Sequence, residues 1–172
     1  YPKRLLDLEE AKRAENGIIA VFNQNFSKYS ETFISGQNEA LNYRVLYYSG
    51  WPKPLHLAEH GNLVKSDSVL NKLRYAKMGL FHEDVSNYED HVIAESLIES
   101  NVSVIIAHFG PMGTTLLNIA SITGIPMIAV FHGYDAWNKK ELALYKDSYL
   151  ELFKSAAGVI GVSKDICGQL ER

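Results

Sequence analysis

The feature that most constrains this chain is a rhythm. Short, nearly all-apolar runs recur, separated by longer stretches with helical spacing. Ile18–Phe22 reads IIAVF, Val102–Ala107 reads VSVIIA, Pro126–Phe131 reads PMIAVF and Gly158–Val162 reads GVIGV. A strand with one wet face alternates apolar and polar residues. These runs do not alternate, so each reads as a strand covered on both faces. Tyr43–Tyr48 (YRVLYY) reads as another strand, followed by a loop at Gly50, Trp51, Pro52, Lys53 and Pro54.

The intervening stretches read as helices. Ser30 stands where a cap belongs, and Phe33, Ile34, Gln37 and Leu41 lie beyond it on one face. Further helices are expected over Ser68–Met78, Glu89–Ser100 and Thr114–Thr123, the last stopped by Gly124. Lys139–Ser155 turns Leu142, Tyr145, Tyr149, Leu152 and Phe153 to one side, and Ser163 caps a final helix. Alternating strands and helices predict an α/β fold with a Rossmann-like, doubly wound parallel sheet. The 172 residues fit one domain, 1–172. The chain opens with Tyr1 and runs to Arg172 inside a helical pattern, so both ends are expected to be cut from something longer.

Composition narrows the function classes. The net charge of -3 gives no basic excess of the kind nucleic-acid binding requires. Cys167 is the single cysteine, so neither an intrachain disulfide nor a cysteine-based metal cluster is expected, which suits a reducing compartment. No apolar run approaches the roughly 20 residues that span a bilayer.

In a doubly wound sheet, ligands bind at the carboxyl ends of the strands. The distinctive polar residues of this chain gather in those loops. His132 comes just after an apolar strand and precedes Gly133, with Asp135 two residues further on. An imidazole there can donate a hydrogen bond to a phosphate, a sugar hydroxyl or a developing negative charge. Asp135 can orient that ring or bind a hydroxyl. The same residues also make an ordinary turn, with Gly133 supplying an unusual backbone angle and Asp135 capping the next segment. His108 precedes Gly110 and Gly113, whose bare backbone allows close approach of a phosphate or hydroxyl to a helix start. Its alternative is a packed histidine in a tight turn, and the dinucleotide fingerprint GxGxxG is absent. Ser30 and Glu31 stand at the mouth of the first strand, either as a ligand site or as a capped first turn.

A glycosidase-like pairing of Glu31 with Asp135 has no separation fixed by sequence. His108, His132 and either His56 or His60 lack HxH or HExxH spacing, so no metal is expected. Lys53, Lys65, Lys72, Arg74 and Lys77 flank Trp51, Leu55, Leu57, Val69, Leu70 and Leu73. That segment reads either as a solvated helix packed on the domain or as peripheral contact with an anionic membrane.

Several short stretches together resemble the N-terminal domain of family 4 glycosyltransferases, the retaining GT-B class. The similarity is nearest to the bacterial exopolysaccharide and lipopolysaccharide subgroup. The matching pieces are Ser30–Ile34 with Gln37 (SETFI..Q), His108–Gly110 (HFG), Ile125–Pro126 (IP), Phe131–Ala136 (FHGYDA) and Ile160–Ser163 (IGVS), in the family's order. The resemblance implies one half of a two-domain GT-B fold. The N-terminal half holds a glycan or lipid-linked acceptor. The C-terminal half, absent here, holds most of the nucleoside diphosphate sugar and carries an E-x7-E acidic pair. It implies that His132 reaches toward the transferred sugar as the catalytic residue, with Ser30, Glu31, His108, Gly110, Gly133 and Asp135 lining the cleft. It implies no cofactor or metal, and work in the cytoplasm or at the inner face of the plasma membrane. The family's frequent glycine-rich loop is replaced here by Asn25–Ser30. On this reading the isolated chain binds donor poorly and transfers nothing detectable. A sugar-nucleotide epimerase relative and a stand-alone sugar- or nucleotide-binding domain are the competing readings.

Overall fold

The computed structural model describes residues 17–25, 36, 43–58, 60–64 and 85–171. The helices expected from Ser30 and over Ser68–Met78 lie outside the described residues. So do Ser30 and Glu31 themselves.

Among the described residues the chain forms a seven-stranded sheet with helices packed on it. The strands are β1 (Ile18–Asn23), β2 (Arg44–Ser49), β3 (His56–Leu57), β4 (Gly61–Asn62), β5 (Val102–His108), β6 (Met127–Phe131) and β7 (Gly158–Gly161). Their spatial order is β4-β3-β2-β1-β5-β6-β7. The five longer strands pair in parallel, while β3 and β4 add antiparallel at one edge. This is the Rossmann-like α/β architecture the sequence predicts, with a small antiparallel margin that it does not.

Central β1 shows why its sequence is apolar throughout. Ala20 and Phe22 enter the main core, while Ile19 and Val21 point to the opposite face with Val45, Tyr47, Ile106 and Phe109. All four of these β1 side chains are buried. β7 departs from expectation. As an edge strand it leaves Val159 and Ile160 exposed.

The described helices are α1 (Val85–Glu99), α2 (Gly110–Thr115), α3 (Leu117–Thr123), α4 (Tyr134–Trp137), α5 (Lys139–Ser155) and α6 (Lys164–Leu170). α5 matches its predicted span, capped by the Asn138 side chain, which accepts from the N–H groups of Lys140 and Glu141. Ser163 caps α6 as expected, accepting from Ile166 N at 3.2 Å. The single helix expected over Thr114–Thr123 is instead two. It starts on Gly110, with Pro111 in the first turn where a missing N–H costs nothing. It breaks at Leu116, after Thr114 and Thr115 both donate their hydroxyls back to the Pro111 carbonyl, at 2.8 and 3.1 Å. Such back-bonding bends helices.

A buried ion pair ties α1 to the loop after β2. Asp90, 3% exposed, pairs with Lys53 and also accepts from Asn118 Nδ2 at 2.8 Å. Lys53 is therefore turned inward, not toward a membrane-facing patch. The rest of that cationic segment, from Lys65 to Lys77, lies outside the described residues. No described helix is long and apolar enough to cross a membrane.

α5 braces the sheet under the β5 and β6 ends. Tyr149 meets the Phe131 ring edge-on at 5.3 Å, and Leu152 is fully buried. The backbone of α2 lies against this aromatic wall at Gly110. A Cβ at that position would fall 2.5 Å from the Tyr149 hydroxyl oxygen and 2.6 Å from its Cζ. Gly110→Ala is expected to destabilise the fold by about 3 kcal/mol, at the upper end of overpacking costs, measured as a lower urea midpoint. An unchanged midpoint would show that α2 slides freely on α5.

Candidate functional site

The strand order reverses direction between β1 and β5. From β1 the chain moves outward to β2, then returns to place β5 on the other side. A crevice opens at the carboxyl ends of strands flanking such a reversal. β1 ends there in Asn23 and β5 in His108, with β6 and His132 beside β5.

His108 is expected in the exit loop after β5. It is instead the last residue of the strand, in register with Val130. Its side chain is 1% exposed. Its Nδ1 lies 2.9 Å from Nε2 of His132, which stands just past β6. The two rings are tilted by 31° with centroids 5.1 Å apart, and the Phe109 ring lies 4.7 Å from that of His132. Two histidines 24 positions apart in sequence thus form one hydrogen-bonded pair at the strand ends.

Burial lowers the pKa of His108 to about 4, and the nearby His132 acts in the same direction. At neutral pH His108 is an uncharged imidazole with one N–H. Nε2 of His108 is buried and has no hydrogen-bond partner among the described residues.

Asp135 holds the two exit segments together. Its carboxylate is 1% exposed. Oδ2 accepts from Gly110 N at 2.8 Å, and Oδ1 accepts from His132 N and Gly133 N, each at 3.0 Å. Those bonds fasten the start of α2 to the segment after β6, and they fix the backbone beneath the His132 ring. Asp135 therefore neither orients that imidazole through the ring nor stands open to a hydroxyl. Nor does it cap a segment beyond it: Asp135 lies within α4, and its carboxylate binds the two amides before that helix and Gly110. A buried carboxylate committed to three amides is also not placed to act as half of a glycosidase pair.

Gly133 carries φ +118°, a conformation that side chains resist, so the turn after His132 needs glycine. Phe109 adopts φ 71° and ψ 138° without being glycine. Holding a phenylalanine there costs about 1–3 kcal/mol, borne by the surrounding packing. Phe109 N also donates to Val130 O at 2.8 Å, so the strained residue is pinned to β6. Beneath, the Tyr149 hydroxyl donates to the Asp135 carbonyl at 3.4 Å. Burial raises the Tyr149 pKa, with Asp135 and Glu141 adding to the effect, so that hydroxyl remains a donor.

The structure thus brings together His108, Gly110, His132, Gly133 and Asp135. Sequence reasoning missed the reach of Asp135 to Gly110, the Phe109 strain and the Tyr149 brace. The H-G-x-D spacing carries the near half of the Asp135 contact, because a short acidic side chain bonds readily to nearby amides. Among the described residues, no three His, Cys, Asp or Glu side chains converge as a metal site. No protein-family model matches the chain, and no curated protein matches it.

This geometry generates two expectations. Asp135→Ala leaves three amide donors without their acceptor, each worth about 1–3 kcal/mol and not fully additive. A loss of about 3–5 kcal/mol in denaturant unfolding is expected, and a loss under about 1 kcal/mol would mean that the clip is not structural. The second concerns pH. The unfolded chain protonates His108 near pH 6.5 and the folded chain near 4, so its contribution is complete above 6.5 and is lost as pH falls between those values. At about 1.4 kcal/mol per unit, wild type should lose about 3 kcal/mol more than His108→Asn between pH 7 and pH 4. Parallel stability–pH curves for the two proteins would count against a buried neutral His108.

Proposed function

We propose that this chain is the acceptor-side domain of a retaining family 4 glycosyltransferase of the bacterial exopolysaccharide and lipopolysaccharide type. The observation that carries the reading is the placement of His108 and His132. They meet at 2.9 Å at the carboxyl end of a parallel sheet, on backbone that a buried carboxylate fixes. A preorganised imidazole over a strand end suits hydrogen bonding to a sugar hydroxyl, and to charge that develops as a glycosidic bond to diphosphate breaks. The FHGYDA and HFG stretches that carry the resemblance supply these residues.

In this reading His132 touches the transferred sugar, and the acceptor, a glycan or lipid-linked glycan, lies over the β1 and β5 ends. The nucleoside diphosphate is held chiefly by a second domain of the complete enzyme. No metal or cofactor takes part. Work at an anionic membrane face belongs to the same reading.

The test is transfer by the complete gene product with a panel of nucleoside diphosphate sugars. Retention at the anomeric carbon is expected. Loss of one donor to a developing charge typically costs about 10²–10³-fold in turnover, so His132→Ala should lower kcat by that order while keeping the circular dichroism of wild type. Wild-type turnover in that variant would remove His132 from the chemistry. Epimerised nucleotide sugar with no glycoside formed would select the epimerase reading. Saturable sugar binding with no turnover in any form would leave a binding domain.

A further inference from the structure

We propose that Trp51 on one side of the β1–β5 crevice, and Tyr134 with Trp137 on the other, are stacking platforms for sugar rings. The ligand of the site is then an oligosaccharide chain and not a single sugar. The inference rests on the reading above in taking the occupant of the crevice to be a glycan.

The sequence holds two tryptophans, Trp51 and Trp137. Tryptophan is highly buried on average, because it has so much apolar surface to remove from water. Here the two are 47% and 53% exposed, and Tyr134 is 67% exposed. All three stand at the carboxyl end of the sheet. Trp51 is two residues beyond the end of β2, and Tyr134 and Trp137 belong to α4, just past β6. Among the described residues the other exposed aromatic side chain, Tyr43, lies at the opposite end of β2.

Fixed backbone holds each platform. Gly50 N donates to Asn23 O at 3.3 Å, which ties the start of the Trp51 loop to the end of β1. That loop closes so tightly that a Cβ on Gly50 would fall 2.6 Å from the Lys53 carbonyl oxygen. Lys53 is in turn anchored on Asp90. On the other side, α4 buries Asp135 and Ala136, so Tyr134 and Trp137, three positions apart, turn outward together. The amide of Trp137 donates to Gly133 O at 2.8 Å, which makes this turn continuous with the Asp135 clip.

Exposed aromatic faces on such a frame suit a ligand with apolar faces and polar edges. A pyranose ring lays its C–H groups on the electron-rich face of an indole or phenol, and keeps its hydroxyls for polar partners. The strand ends between the two platforms are polar, at Ser49, Asn23 and His108. A bilayer or an apolar partner would call for a continuous apolar patch there. The order β2-β1-β5-β6 sets β2 and β6 three strand spacings apart. At about 4.8 Å per spacing, that is roughly 14 Å, more than one sugar ring spans.

The experiment is a fluorescence titration of the chain at pH 7 with neutral oligosaccharides of one to four glucose, galactose or mannose units. Because there are two tryptophans, Trp51→Phe and Trp137→Phe each leave one reporter, and each platform is read alone. A saturable change at both reporters with the longer sugars, and at no more than one with the monosaccharides, is expected. Trp51→Ala and Trp137→Ala should each weaken binding of the longer sugars about tenfold, the worth of one aromatic contact, with circular dichroism unchanged. Equal affinity for one unit and four overturns the proposal, as does silence with every sugar or wild-type binding by both alanine variants. A response to phosphatidylglycerol vesicles that the sugars do not reproduce overturns it too, and assigns the platforms to a membrane. Length-dependent binding without transfer by the complete gene product would reject the transferase reading and keep the platforms. Transfer at wild-type efficiency in both alanine variants would reject the platforms alone.

Discussion

The carboxylate of Asp135 is the contact on which the candidate site depends. It is buried, and it accepts from one amide at the start of α2 and from two in the turn after β6. It joins the two segments that carry His108 and His132, beside the Phe109 N to Val130 O bond and the imidazole pair. Everything around it accommodates the bridge. Gly110 lets α2 sit against Tyr149, Gly133 takes a backbone angle that side chains resist, and Tyr149 bonds the Asp135 carbonyl from below. The acidic residue of the H-G-x-D turn thus acts on the backbone.

Much of the fold is legible in the sequence because burial on two faces leaves an unmistakable pattern. Ile18–Phe22 reads as a central strand since Ile19 and Val21 need cover as much as Ala20 and Phe22 do. α5 is readable from the spacing of Tyr145, Tyr149 and Leu152, and the α6 cap from Ser163. β3 and β4 are not, because two-residue strands have no period to detect. The break at Leu116 is hidden as well. Thr114 and Thr115 stand at the start of the helix expected from sequence, and their bonds to the Pro111 carbonyl are visible only in three dimensions.

For the site, sequence locates the residues better than their tasks. His108 and His132 stand at the ends of apolar runs, so their place over the sheet is dictated by the strand pattern. Their meeting is not, because it depends on β5 and β6 being neighbours and on His108 remaining in the ladder opposite Val130. Phe109 gives no sign at all. A residue that ordinarily avoids positive φ is held there by the strand on one side and the helix on the other. Ser30 and Glu31 are equally prominent in the sequence and lie outside the described residues.

The central position of β1 bears on how such a site comes into being. The β5–β6 half is local. Its two histidines are joined through one crossover, in which α2 and α3 link β5 to β6, and Met112, Leu116 and Ala129 pack in the core beside it. The β1–β5 half is not local, for it pairs residues as remote as Ile18 and Val102. Contacts of that span form slowly, because the chain between them must be ordered before the pairing rewards it. The imidazole pair is thus set by a short stretch of chain, and the β1–β5 junction beside it by the longest closure in the described sheet.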